Sequence, residues 1–161
     1  MRARFGGPLV YSANWDDYQS VPFWEALDYV GIDAYFNLTD QAQPSPQVLR
    51  TAWRRWVSAL ERFVKQVKKP VLFTEIGLRS ILGANRHPWD WNSNAPIDLR
   101  EQANYYQAAL ETFWHKPWFY GFYWWAWLPY PEQGGRDDDS YSPHGKPAEA
   151  VLRDWYAKAA H

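Results

Sequence analysis

"PVLFTEIG", residues 70–77, decides how the chain is read. Pro70 stops a helical stretch, and Val71 to Phe73 open a strand as apolar as parallel strands buried on both faces. Gly77 then marks a turn. Between them stands Glu75, a carboxylate at the exit of a core strand, where it needs a cation, another partner or a chemical task.

Outward from this strand the chain alternates short apolar runs with longer helical ones. Upstream, Ser45 and Pro46 start a long helix in which Leu49, Trp53, Trp56, Val57, Leu60, Val64 and Val67 recur at helical spacing and Arg and Lys cover the other face. Before it lie the strand candidates "PLVYSA" (8–13) and "DYVGIDAYF" (28–36), with a short helix over "VPFWEAL" between them. Downstream, Asp98 and Glu101 have capping-box spacing ahead of the helix "LREQANYYQAALETFW". "FYGFYWWAW" (119–127) is a fourth strand, and Pro147 opens a last helix in "KPAEAVLRDWYAKA".

Four strand-helix units imply a parallel sheet with right-handed crossovers. The segments after the third and fourth strands, 78–97 and 128–146, are long and aromatic, whereas the return joins such as "KKPV" are tight. A barrel shows this asymmetry because its working face is built from the loops that follow the strands. No G-x-G-x-x-G follows the first strand, so no nucleotide cofactor is expected.

Composition narrows the functional classes. The 17 Lys and Arg nearly balance 18 Asp and Glu, leaving no basic field for nucleic acid or anionic membrane. Cysteine is absent, which removes thiolate chemistry and zinc-thiolate sites and leaves the compartment open. "MRARFGGPLV" lacks the apolar segment of a signal peptide, and no transmembrane run occurs, so a soluble chain is expected. Aromatic residues make up 19% of the sequence, including 12 Trp. Tryptophan is rarely fully buried, so part of this content suits an exposed cleft, where flat rings pack on the C–H faces of sugars.

The strand ends bring the chemistry together: Asp33 and Tyr35 late in the second strand, Glu75 in the third, Trp125 and Trp127 in the fourth. With "LDYVGIDAYF", "PVLFTEIG", "GFYWWAW" and "YSPHGKPAEAVLRDWY", the chain resembles the (β/α)8-barrel retaining glycoside hydrolases, most closely the β-mannanase-like family 113. The resemblance spans nearly the whole chain and aligns residues 1–161, as one half-barrel domain, with strands five to eight. It implies an α/β fold of four βα units, half of a TIM-type barrel, and hydrolysis of β-linked mannosides or related hexosides.

By this resemblance Glu75 is the nucleophile and Tyr35 the tyrosine that orients it. Trp127, or Trp125 on the same face, is the floor of a sugar subsite. Asn14, Trp15, Trp89 and Trp91 are candidate sugar contacts, with surface packing as the alternative. Glu75 could instead pair with Arg79, and Asp33 could bind a hydroxyl, cap a turn or hold Arg79. The histidines lack metal-ligand spacing, and "RDDDS" (136–140) reads as a solvated acidic turn, not a calcium loop.

A complete barrel takes roughly 250 residues and eight units. The family's acid/base glutamate belongs to the half with no counterpart here. Two open strand edges and an apolar inner face favour association, so the expectation is a homodimer that closes the barrel, with the symmetry mate of Glu75, Asp33 or Glu132 as acid. A carbohydrate-binding half barrel without catalysis, or a truncated or engineered fragment, is the alternative.

Overall fold

The computed structural model describes residues 4–130 and 132–159. Met1 to Ala3, part of the opening stretch read above for a targeting segment, lie outside them. Four strands form one parallel sheet in sequence order: β1 (Val10–Asn14), β2 (Tyr29–Asp33), β3 (Val71–Ile76) and β4 (Phe119–Trp124). Helices α1 (Pro46–Val67), α2 (Leu99–Phe113) and α3 (Pro147–Ala159) follow β2, β3 and β4. The first unit departs from expectation. Between β1 and β2 the chain makes only two short 3-10 turns, Tyr18–Ser20 and Trp24–Ala26. Trp24 is buried there and its indole N–H donates to the Tyr18 carbonyl at 2.8 Å, so ring packing takes the place of a helix.

Helix α1 follows its sequence signals. The Ser45 hydroxyl accepts from the Val48 N–H at 3.3 Å, and Pro46 begins the first turn. Its buried face is Leu49, Trp53, Val57, Leu60 and Phe63, spaced by three and four. Lys68 ends the helix in the left-handed region at φ 54°, its N–H donating to the Val64 carbonyl at 2.7 Å, and Pro70 prevents continuation.

The helices cover one face of the sheet. Val30 and Ile32 of β2 and Val71 and Phe73 of β3 are wholly buried with Trp53 of α1 and Phe113 of α2, while Phe122 and Trp124 of β4 pack on Phe113 and Tyr106. Strand alternation turns Gly31, Asp33, Leu72, Thr74 and Tyr123 to the opposite face, which would be the interior of a closed barrel. This is half of a (β/α)8 barrel, with β1 and β4 as free edges. No helix among the described residues is long and apolar enough to cross a membrane.

Two close approaches fix the sheet. A Cβ on Gly31 would lie 2.4 Å from the Tyr11 carbonyl oxygen, and one on Gly77 only 2.1 Å from that of Trp125. Both positions exclude a side chain.

Candidate active site

The register between β2 and β3 shifts after Ile32, so that Asp33 lies opposite Glu75, not Thr74. The Ala34 N–H then donates to the Glu75 carbonyl at 2.6 Å, which fixes the end of β3 against the segment carrying Tyr35. Tyr35 lies just past the end of β2, and its hydroxyl donates to Glu75 Oε2 at 3.0 Å. At the end of β4 the Trp125 N–H donates to the Ile76 carbonyl at 2.8 Å, bringing the Trp125 ring to the same mouth. The Trp125–Ala126 peptide is cis.

These residues line a cleft of about 500 Å³ formed by Asn14, Tyr35, Glu75, Trp89, Trp91, Trp125 and Tyr141. A smaller hollow of about 300 Å³ adjoins it, sharing Asn14, Tyr35 and Trp89 and adding Trp15 and Asp16. Trp15 and Trp89 stack with ring centres 5.1 Å apart and planes 22° from parallel, making one aromatic wall. Glu75 is the only carboxylate in the larger cleft among the described residues. Another pocket, about 270 Å³ beside Trp114, Tyr120 and Tyr156, lies along the free edge of β4 and holds no acid.

Burial pushes the Glu75 carboxyl above the ordinary glutamate range; the Tyr35 hydrogen bond pulls it back, and the Asp33 charge adds to the rise. Tyr35 is pushed strongly upward by burial and by the Glu75 carboxylate that it touches, so it remains a protonated donor. Asp33 accepts hydrogen bonds from Ser12 Oγ at 2.5 Å and Thr74 Oγ1 at 3.0 Å, and the two hydroxyl oxygens lie 2.5 Å apart. This places a hydroxyl-bonded carboxylate on the sheet face beside Glu75, outside the residues lining the cleft.

The alternative pairing of Glu75 or Asp33 with Arg79 is absent. Arg79 reaches Asp139 at 2.6 Å and the carbonyls of Trp91 and Ser93. It thereby joins the loop after β3 to the loop after β4. The "RDDDS" turn also takes structural work: Asp138 accepts from buried Lys146 at 2.6 Å, and that ammonium also donates to Ser80 Oγ at 2.9 Å. Burial lowers the Lys146 pKa against the pull of Asp138. No group of three or more potential metal ligands occurs among the described residues.

Of the expected site residues, the cleft and its adjoining hollow gather Glu75, Tyr35, Asn14, Trp15, Trp89, Trp91 and Trp125. Trp127 does not join them. It is 55% exposed and lies against His144 with ring centres 5.6 Å apart. The chain leaves its strand geometry after Trp124, so the alternation that would have put Trp125 and Trp127 on one face no longer holds. Glu132 is exposed and lines neither hollow.

Two contributors had no clear signal in the sequence. Tyr141 lines the cleft and packs edge-on to Tyr35 at 6.3 Å, and its hydroxyl donates to the Pro88 carbonyl at 2.7 Å. Burial pushes it up to about 12. Glu101 departs from the expected capping box. Asp98 caps α2, accepting from Arg100 and Glu101 N–H groups, but its own N–H donates to the Ser80 carbonyl. The Glu101 carboxylate, fully buried, instead accepts from the N–H groups of Gln43, Gly83 and Asn85 and from Asn85 Nδ2, at 2.7 to 3.0 Å. It ties the loop after β2 to the loop that carries Trp89 and Trp91.

A family model described as Glycoside Hydrolase Family 113 matches residues 1–146. Among solved structures the fold is similar to a GH113 β-1,4-mannanase solved as a complex, with 31% identity and a TM-score of 0.81, covering 97% of this chain and 47% of that one. It is also similar to the GH113 β-mannanase of Alicyclobacillus acidocaldarius in complex with ManMIm, with 31% identity, a TM-score of 0.79 and the same coverage. The β-glucuronidase of Bifidobacterium dentium shares the fold at 20% identity and a TM-score of 0.63, over 93% of this chain and 24% of that one. No curated protein matches the chain. The chain spans about half the length of the mannanases that it resembles.

Proposed function

From the premise that the chain belongs to Glycoside Hydrolase Family 113, we propose that it is the nucleophile-bearing half of a retaining glycosidase acting on β-mannosides or related β-hexosides. The observation that carries this reading is the Tyr35–Glu75 hydrogen bond at the floor of an aromatic cleft at the strand ends. Glu75 attacks the anomeric carbon, forming a glycosyl ester as the bond to the leaving oxygen breaks. That oxygen takes a proton from an acid in the second half of the barrel. Water then attacks the anomeric carbon, giving up a proton to the same residue acting as base, and the bond to Glu75 breaks so that Glu75 leaves as carboxylate. Tyr35 donates to the carboxylate throughout and fixes its orientation. Trp125, Trp89 and Trp15 give the sugar ring apolar surfaces to pack on, with Asn14 at their edge; Asp33 supports the floor beside Glu75.

The barrel in this reading is assembled from two half barrels. Retention requires two carboxyl groups about 5.5 Å apart, and among the described residues Glu75 is the one carboxylate in the larger cleft. That same observation favours one second reading, a half barrel that binds sugar without turning it over. Nitrophenol release from aryl β-mannosides separates the two, because a good leaving group needs little protonation. Turnover that disappears in Glu75→Gln supports the glycosidase. Equal turnover in the variant rules out Glu75 as nucleophile, and sugar-dependent stabilisation without turnover supports binding alone.

A further inference from the structure

The face opposite the helices carries two charges, and both are negative. Along the four strands every residue is neutral except Asp33 and Glu75. Neither has a cation: the ion pairs among the described residues involve Arg50, Arg79, Lys116, His144 and Lys146, with other acids. Asp33 is held only by the neutral hydroxyls of Ser12 and Thr74. Around these charges the surface is apolar and aromatic, with Tyr123 64% and Trp125 48% exposed. Among the described residues the edges β1 and β4 have no neighbouring strand beyond β2 and β3, and such edges recruit further strands.

We propose that this face and its two edges dock a complementary half barrel whose inner strands carry a lysine or arginine in the layer of Asp33, in preference to a second copy of this chain. The proposal rests on the reading that two halves complete the barrel. In an eight-stranded barrel the interior is filled by layers of side chains drawn from alternate strands. When two four-strand halves close it, each strand lies opposite its own counterpart. In a pair of identical copies β2 faces β2, so Asp33 shares a layer with its own mate, and Glu75 faces Glu75 at the mouth. Closure removes water from Asp33, and its hydroxyl donors do not cancel the charge. Two carboxylates in such a place repel each other, whereas an opposed cation satisfies them. The mannanases similar to this chain extend over about as much sequence again beyond the matched part, which is the extent of a second half.

The test is the solution mass by light scattering of the wild-type chain, of Asp33→Lys, of their equimolar mixture and of Asp33→Asn, all at neutral pH and micromolar concentration without sugar. The Asp33→Lys copy stands in for the complementary half. Expected are single-chain masses for the wild type and for Asp33→Lys, a doubled mass for the mixture, and self-association of Asp33→Asn. A wild-type chain that dimerises by itself overturns the proposal. So does a mixture that stays monomeric while circular dichroism shows Asp33→Lys folded. If Asp33→Lys does not fold, Asp33→Asn decides: a persistent monomer overturns the proposal and a dimer sustains it. Mass is read without substrate, so failure of glycoside turnover leaves this result standing and does not mimic its failure.

Discussion

The Tyr35 hydroxyl donates to Glu75 Oε2 at 3.0 Å across the junction of β2 and β3. Tyr35 lies beyond the last paired residue of its strand and Glu75 inside its own, so the contact depends on the register shift after Ile32. The tyrosine opposes the burial and the Asp33 charge that push the Glu75 carboxyl upward. Removing the hydroxyl in Tyr35→Phe is expected to raise the Glu75 pKa further. Carbon-13 NMR of the side-chain carboxyl, followed through a pH titration, reads this directly; an unchanged or lower midpoint contradicts it.

The same shift has a consequence for stability. Folded Glu75 holds its proton more tightly than the unfolded glutamate, so the folded chain binds more protons between the two pKa values. Stability falls as pH rises through that window from the ordinary glutamate value upward, and the cost of the charge is fully present above it. Glu75→Gln removes that cost. Its melting temperature relative to wild type is expected to gain more at pH 7 than at pH 4, and an equal gain at both values contradicts the assignment.

Much of this was legible in the sequence where one residue type has one physical use. Ser45 and Pro46 mark the start of α1, Pro70 and Lys69 sit at its tight exit, and the apolar opening of β3 announces a core strand. Glu75 stood out because a charge at the end of such a strand is costly without a role. The missing first helix was hidden because "VPFWEAL" has enough helix formers to suggest one, while the Trp24 packing that replaces it is a tertiary contact. Trp127 shares the face of Trp125 only if strand alternation continues past Trp124, and the strand ends there. Glu101 looked like half of a capping box because its spacing from Asp98 fits one, and its actual partners, Gln43, Gly83 and Asn85, lie on loops that only the fold brings near.

Glu101 gives a third prediction. Its carboxylate satisfies four N–H donors in a fully buried place. Leaving buried donors unsatisfied costs about 1–3 kcal/mol per group, so Glu101→Ala is expected to destabilise the fold by roughly 3 kcal/mol or more in urea unfolding. Glu101→Gln, which retains one acceptor oxygen, is expected to fall between the two. A loss under about 1 kcal/mol in the alanine variant would show that the node does not hold the loops, since surface substitutions produce changes of that small size.

Gly77 gives a fourth. A methyl group there meets the Trp125 carbonyl oxygen at 2.1 Å, so the end of β4 has to move. Gly77→Ala is expected to displace the Trp125 ring from the cleft and weaken protection of this ring from acrylamide quenching by added mannobiose. Measured against a Trp125→Phe control, a wild-type quenching response in Gly77→Ala contradicts the claim that this close approach positions Trp125.

The central claim is that Glu75 forms a covalent bond to the sugar, and trapping tests it most directly. A 2-deoxy-2-fluoro-β-mannosyl fluoride needs little acid assistance, because fluoride leaves readily, and its 2-fluoro group slows hydrolysis of the ester that forms. Intact mass spectrometry of the chain after incubation is expected to show the addition of one fluoromannosyl group, mapped by peptide sequencing to Glu75 and absent from Glu75→Gln. A label at another residue, equal labelling of Glu75→Gln, or no label at all contradicts the assignment of Glu75 as nucleophile.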